Sequence, residues 1–255
     1  MAELQIHPVP CLKDNYAYLV FDPESRQCAV VDPSEAEPVK RALAKHQFTL
    51  THIVNTHHHQ DHVGGNRTLI DLGAEVWGAE KDRARIPALA HGLREGDVFK
   101  LGAHEARVIE IPGHTMGHIA FHFGGARAVF TGDTLFLMGC GRLFEGTPAL
   151  MWQSLSKLAV LPEETRVFCG HEYTLNNGRF ALTVEPGNAD LQQRMREVER
   201  LRGEGKPTVP ATIALESRTN PFLRAGRADI ARSLGMAGAA AVAVFAELRR
   251  RKDAF

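Results

Sequence analysis

Four times along this chain of 255 residues a short apolar run stops, and a histidine or an aspartate stands in the loop just beyond it. Thr51 to Asn55 leads into His57-His58-His59-Gln60-Asp61-His62, and Glu105 to Ile111 leads into His114. Arg127 to Thr131 leads into Asp133, and Arg166 to Cys169 into His171. Runs of this length and β-branched content predict buried strands. Gly113, Gly132 and Gly170 adjoin three of the loops, where backbone must approach closely. Strand ends of this kind can converge on one edge of a sheet, which holds polar ligands in fixed geometry. The chain is thereby confined to a mixed β and α fold with a polar edge.

Four imidazoles and a carboxylate within six residues meet no packing need. Neutral imidazole nitrogen and carboxylate oxygen are the usual ligands of zinc, iron and manganese. A metal site is therefore expected. His58, flanked by ligands, should point away, and Asp32 and His118 should support ligands rather than bind metal. His7, His46, His52, His91, His104 and His122 fall into no pattern.

The surrounding elements can be read in order. Tyr16 to Phe21 and Cys28 to Val31 form a hairpin, and Ser34 with Glu37 offers a capping box to a helix whose apolar face is Val39, Leu43 and Ala44. A helix follows Gly64-Gly65, a strand includes Val76-Trp77, and His118 to Phe123 pairs with Arg127 to Thr131 about Gly124-Gly125. Ala149 to Val160 is helical, with Leu150, Leu155 and Leu158 on one face. After Tyr173 the pattern changes to helices over Asn176 to Val184, Ala189 to Arg202 and Gly238 to Lys252, with Ser217 to Arg224 as a loop. The expected organisation is a mixed β and α segment, 1–173, and a helical segment, 174–255.

The ligand pattern His57-x-His59-x-Asp61-His62 with His114, Asp133 and His171 resembles that of the metallo-β-lactamase superfamily, and within it the glyoxalase II (hydroxyacylglutathione hydrolase) family. Asn15-Tyr16, Val31-Asp32-Pro33, Gly139-Cys140-Gly141-Arg142, Gly170-His171-Glu172-Tyr173-Thr174, Asn220-Pro221-Phe222-Leu223-Arg224 and Arg249-Arg250-Arg251-Lys252-Asp253 extend the likeness to nearly the whole chain. The resemblance implies an α+β fold, a four-layer αββα sandwich followed by an all-helical C-terminal domain. It implies two divalent ions per chain, zinc first, with iron or manganese accepted by the same ligands. One ion takes His57, His59 and His114, and the other takes Asp61, His62 and His171. Asp133 bridges them with a hydroxide, and Asp61 and Asp133 are the catalytic carboxylates.

The implied reaction is hydrolysis of S-(2-hydroxyacyl)glutathione, typically S-D-lactoylglutathione, to glutathione and D-lactate, a step of methylglyoxal detoxification. Substrate contacts fall on Arg142, Phe144, Tyr173, Arg249 and Lys252, whereas Arg250 and Arg251 are a solvated helix end. Phe144 replaces a tyrosine of many relatives, and Arg142 replaces a lysine. Rival readings on the same scaffold are a β-lactam hydrolase, an RNA phosphodiesterase and an iron persulfide dioxygenase; a non-catalytic metal-binding protein is the rival of a different class.

Composition narrows the partners. A formal net charge of +0 gives no reason to expect nucleic acid or a membrane surface. No signal peptide pattern opens the sequence, and the Ala237 to Ala246 run is too short to span a bilayer. Cys11, Cys28, Cys140 and Cys169 form no C-x-x-C pair and read as scattered buried thiols. A cytoplasmic monomer acting on a small molecule is expected.

Overall fold

The structure is a computed structural model that describes residues 2–255. The described chain forms two compact units, one of residues 2–110 with 116–132 and one of residues 111–115 with 133–255.

In the first unit β1 (Gln5–Cys11), β2 (Asn15–Phe21) and β3 (Cys28–Val31) pair antiparallel in turn. α1 (Ala36–His46) crosses to β4 (Leu50–Val54), which lies parallel to β3. The short helices α2 (Gln60–Val63) and α3 (Asn66–Leu69) follow, and β5 (Glu75–Ala79) and β6 (Leu89–Leu93) complete the sheet in the order β1-β2-β3-β4-β5-β6. A second antiparallel array contains β7 (Val98–Leu101), β8 (His104–Glu110), β9 (Ile119–Phe123) and β10 (Ala128–Gly132).

β2 is buried at every position because both its faces are covered. Ala17, Leu19 and Phe21 join Val39 and Leu43 of α1 in one core, while Tyr18 on the opposite face reaches Phe130 of β10, ring to ring at 5.5 Å. β1 was not legible as a strand because Pro8 and Pro10 lack the N–H of a ladder. It occupies the sheet edge, where proline is tolerated.

The expected capping box does not form. The cap position of α1 is Glu35, without a side-chain cap bond, and its carboxylate accepts the Leu12 N–H at 2.7 Å. Starting at Ala36, the helix turns Val39, Ala42 and Leu43 inward and leaves Ala44 exposed. Gly64 and Gly65 run so close to this junction that Gly65 N–H donates to the Pro33 carbonyl at 2.8 Å.

The second unit contains the hairpin β11 (Leu135–Phe136) with β12 (Gly139–Cys140), then α4 (Pro148–Ala159) and β13 (Arg166–Cys169). Thr147 caps α4 by accepting the Leu150 N–H, and the helix buries Met151, Ser154, Leu155 and Leu158; Leu150 is only half-buried. Next come α5 (Thr174–Val184), α6 (Ala189–Gly203), β14 (Ala211–Thr212), α7 (Ile213–Thr219), α8 (Ala228–Ser233) and α9 (Ala241–Ala254). The segment beyond Tyr173 is helical apart from β14, a two-residue strand paired with β13.

α7 extends through Ser217 to Thr219, residues that read as loop in sequence, because Thr212 caps it and Asn220 does not interrupt it until its end. α9 starts at Ala241, since Gly238 takes a left-handed φ of 81°. All four cysteines are buried free thiols. Burial pushes Cys28 and Cys169 up to about 12 and Cys140 up to about 11, and raises Cys11 as well. Among the described residues no helix is long and apolar enough to cross a membrane.

Candidate metal centre

Asp32 organises the donors of the first unit. It stands beyond the end of β3 in the left-handed region, φ 48°. Its carboxylate accepts the Thr56 N–H at 2.8 Å and the Thr56 hydroxyl at 2.7 Å, and its Oδ2 lies 3.1 Å from His62 Nδ1. These bonds fix proton positions. The Thr56 hydroxyl hydrogen goes to Asp32, so the 3.1 Å contact between Thr56 Oγ1 and His57 Nδ1 requires the ring to donate. His62 Nδ1 likewise donates to the Asp32 carboxylate. Both rings are thereby set with a lone pair on Nε2, the atom free to take an ion.

Asp32, His57 and His62 are close enough to hold an ion as a trio. The Asp32 oxygens, however, are committed to Thr56 and His62, so the carboxylate orients ligands, as the sequence suggests.

The remaining donors fall around this pair. His57 Nε2 lies 3.1 Å from His59 Nδ1, and His62 Nε2 lies 3.8 Å from Asp61 Oδ2. Asn15 Nδ2 holds Asp61 through both its carbonyl and Oδ2, each at 3.1 Å. His118 stacks on the His57 ring, centroids 4.6 Å apart. His58 turns to Asp82, with Nδ1 at 3.0 Å from Oδ2. Two buried asparagines brace the loop: Asn66 Nδ2 donates to Asn55 Oδ1 at 2.7 Å, and Asn55 Nδ2 donates to the His62 carbonyl at 3.1 Å. Sequence reasoning missed Asn55, Thr56, Asn66 and Asp82; their signal is burial, which a single polar residue does not reveal. Gly132, φ 45°, has no room for a Cβ, which would stand 2.3 Å from Thr56 Oγ1.

In the second unit His114 and His171 face one carboxylate. His114 Nε2 lies 3.5 Å and His171 Nε2 3.3 Å from Asp133 Oδ2. All three are buried. His114 Nδ1 donates to the Arg142 carbonyl at 2.9 Å, again leaving the lone pair on Nε2. Phe144 sits edge-on to His114, centroids 5.1 Å apart, and Tyr173 stacks on His171 at 4.7 Å. Two imidazole nitrogens close to one carboxylate oxygen are suited to a divalent cation, and His and Asp donors fit zinc, iron or manganese.

Three cations of this unit, Arg142, Arg249 and Lys252, lie near the end of α9. Arg249 is buried and donates Nη1 to the Cys140 carbonyl at 2.8 Å. Lys252 Nζ donates to the Asn176 carbonyl at 3.3 Å, and burial foremost, then Arg249 and Arg142, lowers its pKa to about 8. Arg142 is exposed, with Nε 3.9 Å from Asp253. Arg250 and Arg251 pair with Glu247.

Two family models divide the sequence. Residues 13–171 match the metallo-beta-lactamase superfamily, and residues 172–255 match the hydroxyacylglutathione hydrolase C-terminus. A hydroxyacylglutathione hydrolase of Methylococcus capsulatus is 53% identical over 253 residues, 99% of each chain. The chain belongs to the hydroxyacylglutathione hydrolase family. A second hydroxyacylglutathione hydrolase, from Jannaschia sp., is 52% identical over all of both chains.

Among solved structures, ETHE1 from Myxococcus xanthus matches with a TM-score of 0.69 and 26% identity, over 98% of this chain and 90% of that one. TTHA1623, solved in a di-iron-bound form, matches with a TM-score of 0.60 and 28% identity, over 86% of this chain and 99% of that one. The fold is thus the expected one for this hydroxyacylglutathione hydrolase family member: a metallo-β-lactamase domain built on sheets, followed by a helical C-terminal domain.

Proposed function

We propose that the protein hydrolyses the thioester of S-(2-hydroxyacyl)glutathione, with S-D-lactoylglutathione as the typical substrate, releasing glutathione and D-lactate. One observation carries the reading. Arg142 gives its carbonyl to the ligand ring of His114 while its side chain stands among Asp253, Arg249 and Lys252. A metal-binding histidine and a cluster of cations are thus tied to one residue, which suits a thioester whose tail carries carboxylates.

The assigned ligands are His57, His59 and His114 for one ion, and Asp61, His62 and His171 for the other, with Asp133 between them. Imidazole nitrogens and carboxylate oxygens are the donors that divalent ions of this kind take, which supports the reading. Two divalent ions, zinc with iron or manganese as alternatives, would supply a water deprotonated near neutral pH and an electrophile for the carbonyl. The chain's residues do the rest. Asp32 and the Arg142 carbonyl hold ligand rings in the required tautomer. Asp61, held by Asn15, is a ligand carboxylate placed to assist proton transfer. Arg142, Tyr173, Arg249 and Lys252 recognise glutathione, the cations through its carboxylates, and Phe144 lines the substrate. A thiolate is a good leaving group, so the absence of a dedicated general acid in this assignment is chemically acceptable.

In this reading residues 1–173 are catalytic and 174–255 bind substrate, and the protein works as a cytoplasmic monomer. Its four free thiols suit a reducing compartment. The test is thiol release from S-lactoylglutathione by protein loaded in turn with zinc, iron and manganese. No turnover with any of them refutes the proposal. Metal analysis should return about two ions per chain; a firm value of one favours a mononuclear oxygenase.

A further inference from the structure

Asp253 stands where helix electrostatics oppose an acid. It lies in the last turn of α9, at the negative end of the macrodipole, beside Arg251 and Lys252, which that end favours. Its partners explain the position. Asp253 Oδ1 accepts from Arg249 Nε at 3.1 Å and lies 3.0 Å from Nη2. The rest of that guanidinium is engaged elsewhere: Nη1 with the Cys140 carbonyl, and the cation 5.2 Å from the Phe222 ring centroid. The Arg249 side chain is only 7% exposed, whereas that of Asp253 is 47% exposed. The edge of Arg249 that can meet an incoming carboxylate is the edge that Asp253 covers.

We propose that Asp253 is a built-in competitor for the substrate's carboxylate, occupying Arg249 in the free enzyme and setting how tightly glutathione thioesters are held. The inference rests on the glutathione reading above. Binding exchanges one carboxylate for another on Arg249, and the released Asp253 side chain passes into the water it already half faces. The cationic cluster of Arg142, Arg249 and Lys252 is never left without an anion. Product glutathione keeps the carboxylates of the substrate, so the same exchange speeds its departure.

Asp253→Asn removes the competitor's charge while keeping its size. KM for S-lactoylglutathione and the competitive inhibition constant of glutathione should both fall about two- to fivefold, the range set by one partly exposed ion pair. Asp253→Glu, which retains a competing carboxylate, should keep wild-type values. Glu247→Gln removes a charge from the same helix, one paired with Arg250 and Arg251, and should move neither constant.

An unchanged or raised KM and inhibition constant in Asp253→Asn overturns the proposal, as does an equal fall in Glu247→Gln. Calorimetric titration of the metal-loaded proteins with glutathione gives the same comparison without turnover. A wild-type protein that binds glutathione but hydrolyses nothing defeats the hydrolase reading alone. Failure of glutathione to bind defeats the inference.

Discussion

Replacing Glu216 with alanine should cost this protein a large part of its stability and loosen the segment that leads to Arg142. Glu216 is fully buried. Its Oε1 accepts from Arg194 Nη2, and its Oε2 accepts the Met138 N–H at 2.8 Å and Asn220 Nδ2 at 3.0 Å. Asn220 Nδ2 also donates to the carbonyls of Phe136 and Gly139, at 3.1 and 3.0 Å. One carboxylate thus joins α6, α7 and the β11–β12 hairpin.

Removing it leaves the buried Arg194 guanidinium with the Thr219 hydroxyl as its remaining partner, at a typical cost of about 3–5 kcal/mol. An unmet Met138 N–H alone would cost about 1–3 kcal/mol. The two losses share one cavity and overlap, so about 4 kcal/mol is expected, against a usual total of about 5–15 kcal/mol. Glu216→Gln keeps an acceptor for Met138 but not the charge, and should fall between. Urea unfolding followed by circular dichroism measures both. A double-mutant cycle with Arg194→Met should return a coupling of about 2 kcal/mol or more. A Glu216→Ala protein within about 1 kcal/mol of wild type would refute the reasoning, because no buried charge could then have been stranded.

Three further outcomes are expected. Asp32→Ala removes the acceptor that sets His57 and His62, so metal affinity should fall about 10- to 100-fold, read by competition with a chelator; unchanged retention would make Asp32 a bystander. Asp133→Ala should abolish thioester hydrolysis and lower bound metal per chain, measured by elemental analysis, and full metal content would exclude a bridging role. Lys252 loses its proton near pH 8 in the folded protein, so KM for a carboxylate-bearing substrate should rise as pH passes upward through that value, and Lys252→Gln should flatten the rise. Because the unfolded chain still binds that proton between about 8 and 10.5, the group's contribution to stability grows with pH across that window; a KM independent of pH in wild type would remove Lys252 from the binding site.

How much of this was legible depended on whether a residue's role was local. The strands ending at Val54, Gly132 and Cys169 were readable because apolar runs meeting histidine or aspartate leave few alternatives. β1 was hidden by its two prolines, whose tolerance depends on an edge position that only the assembled sheet defines. The Ser34 capping box obeyed the sequence rule and failed, since tertiary packing of the Gly64-Gly65 backbone took over the same junction. At the site, His58 was separable from its neighbours by its flanking ligands, and it does turn to Asp82. Asn55, Asn66 and Thr56 were not readable, because nothing in a lone polar residue announces that it will be buried. Arg249 was singled out for its charge, yet its buried bond to Cys140 and its pairing with Asp253 belong to the fold.

The burial of the four thiols bears on the chemistry that surrounds such an enzyme. Thioesters transfer their acyl groups to any accessible thiolate, without help from a catalyst. Cys28, Cys140 and Cys169 are held as neutral thiols by pKa values of about 11 to 12, and Cys11 is shifted the same way. None offers a nucleophile at the surface. Its own cysteines therefore offer no acceptor for the acyl group of a thioester, so none of them competes with water for it.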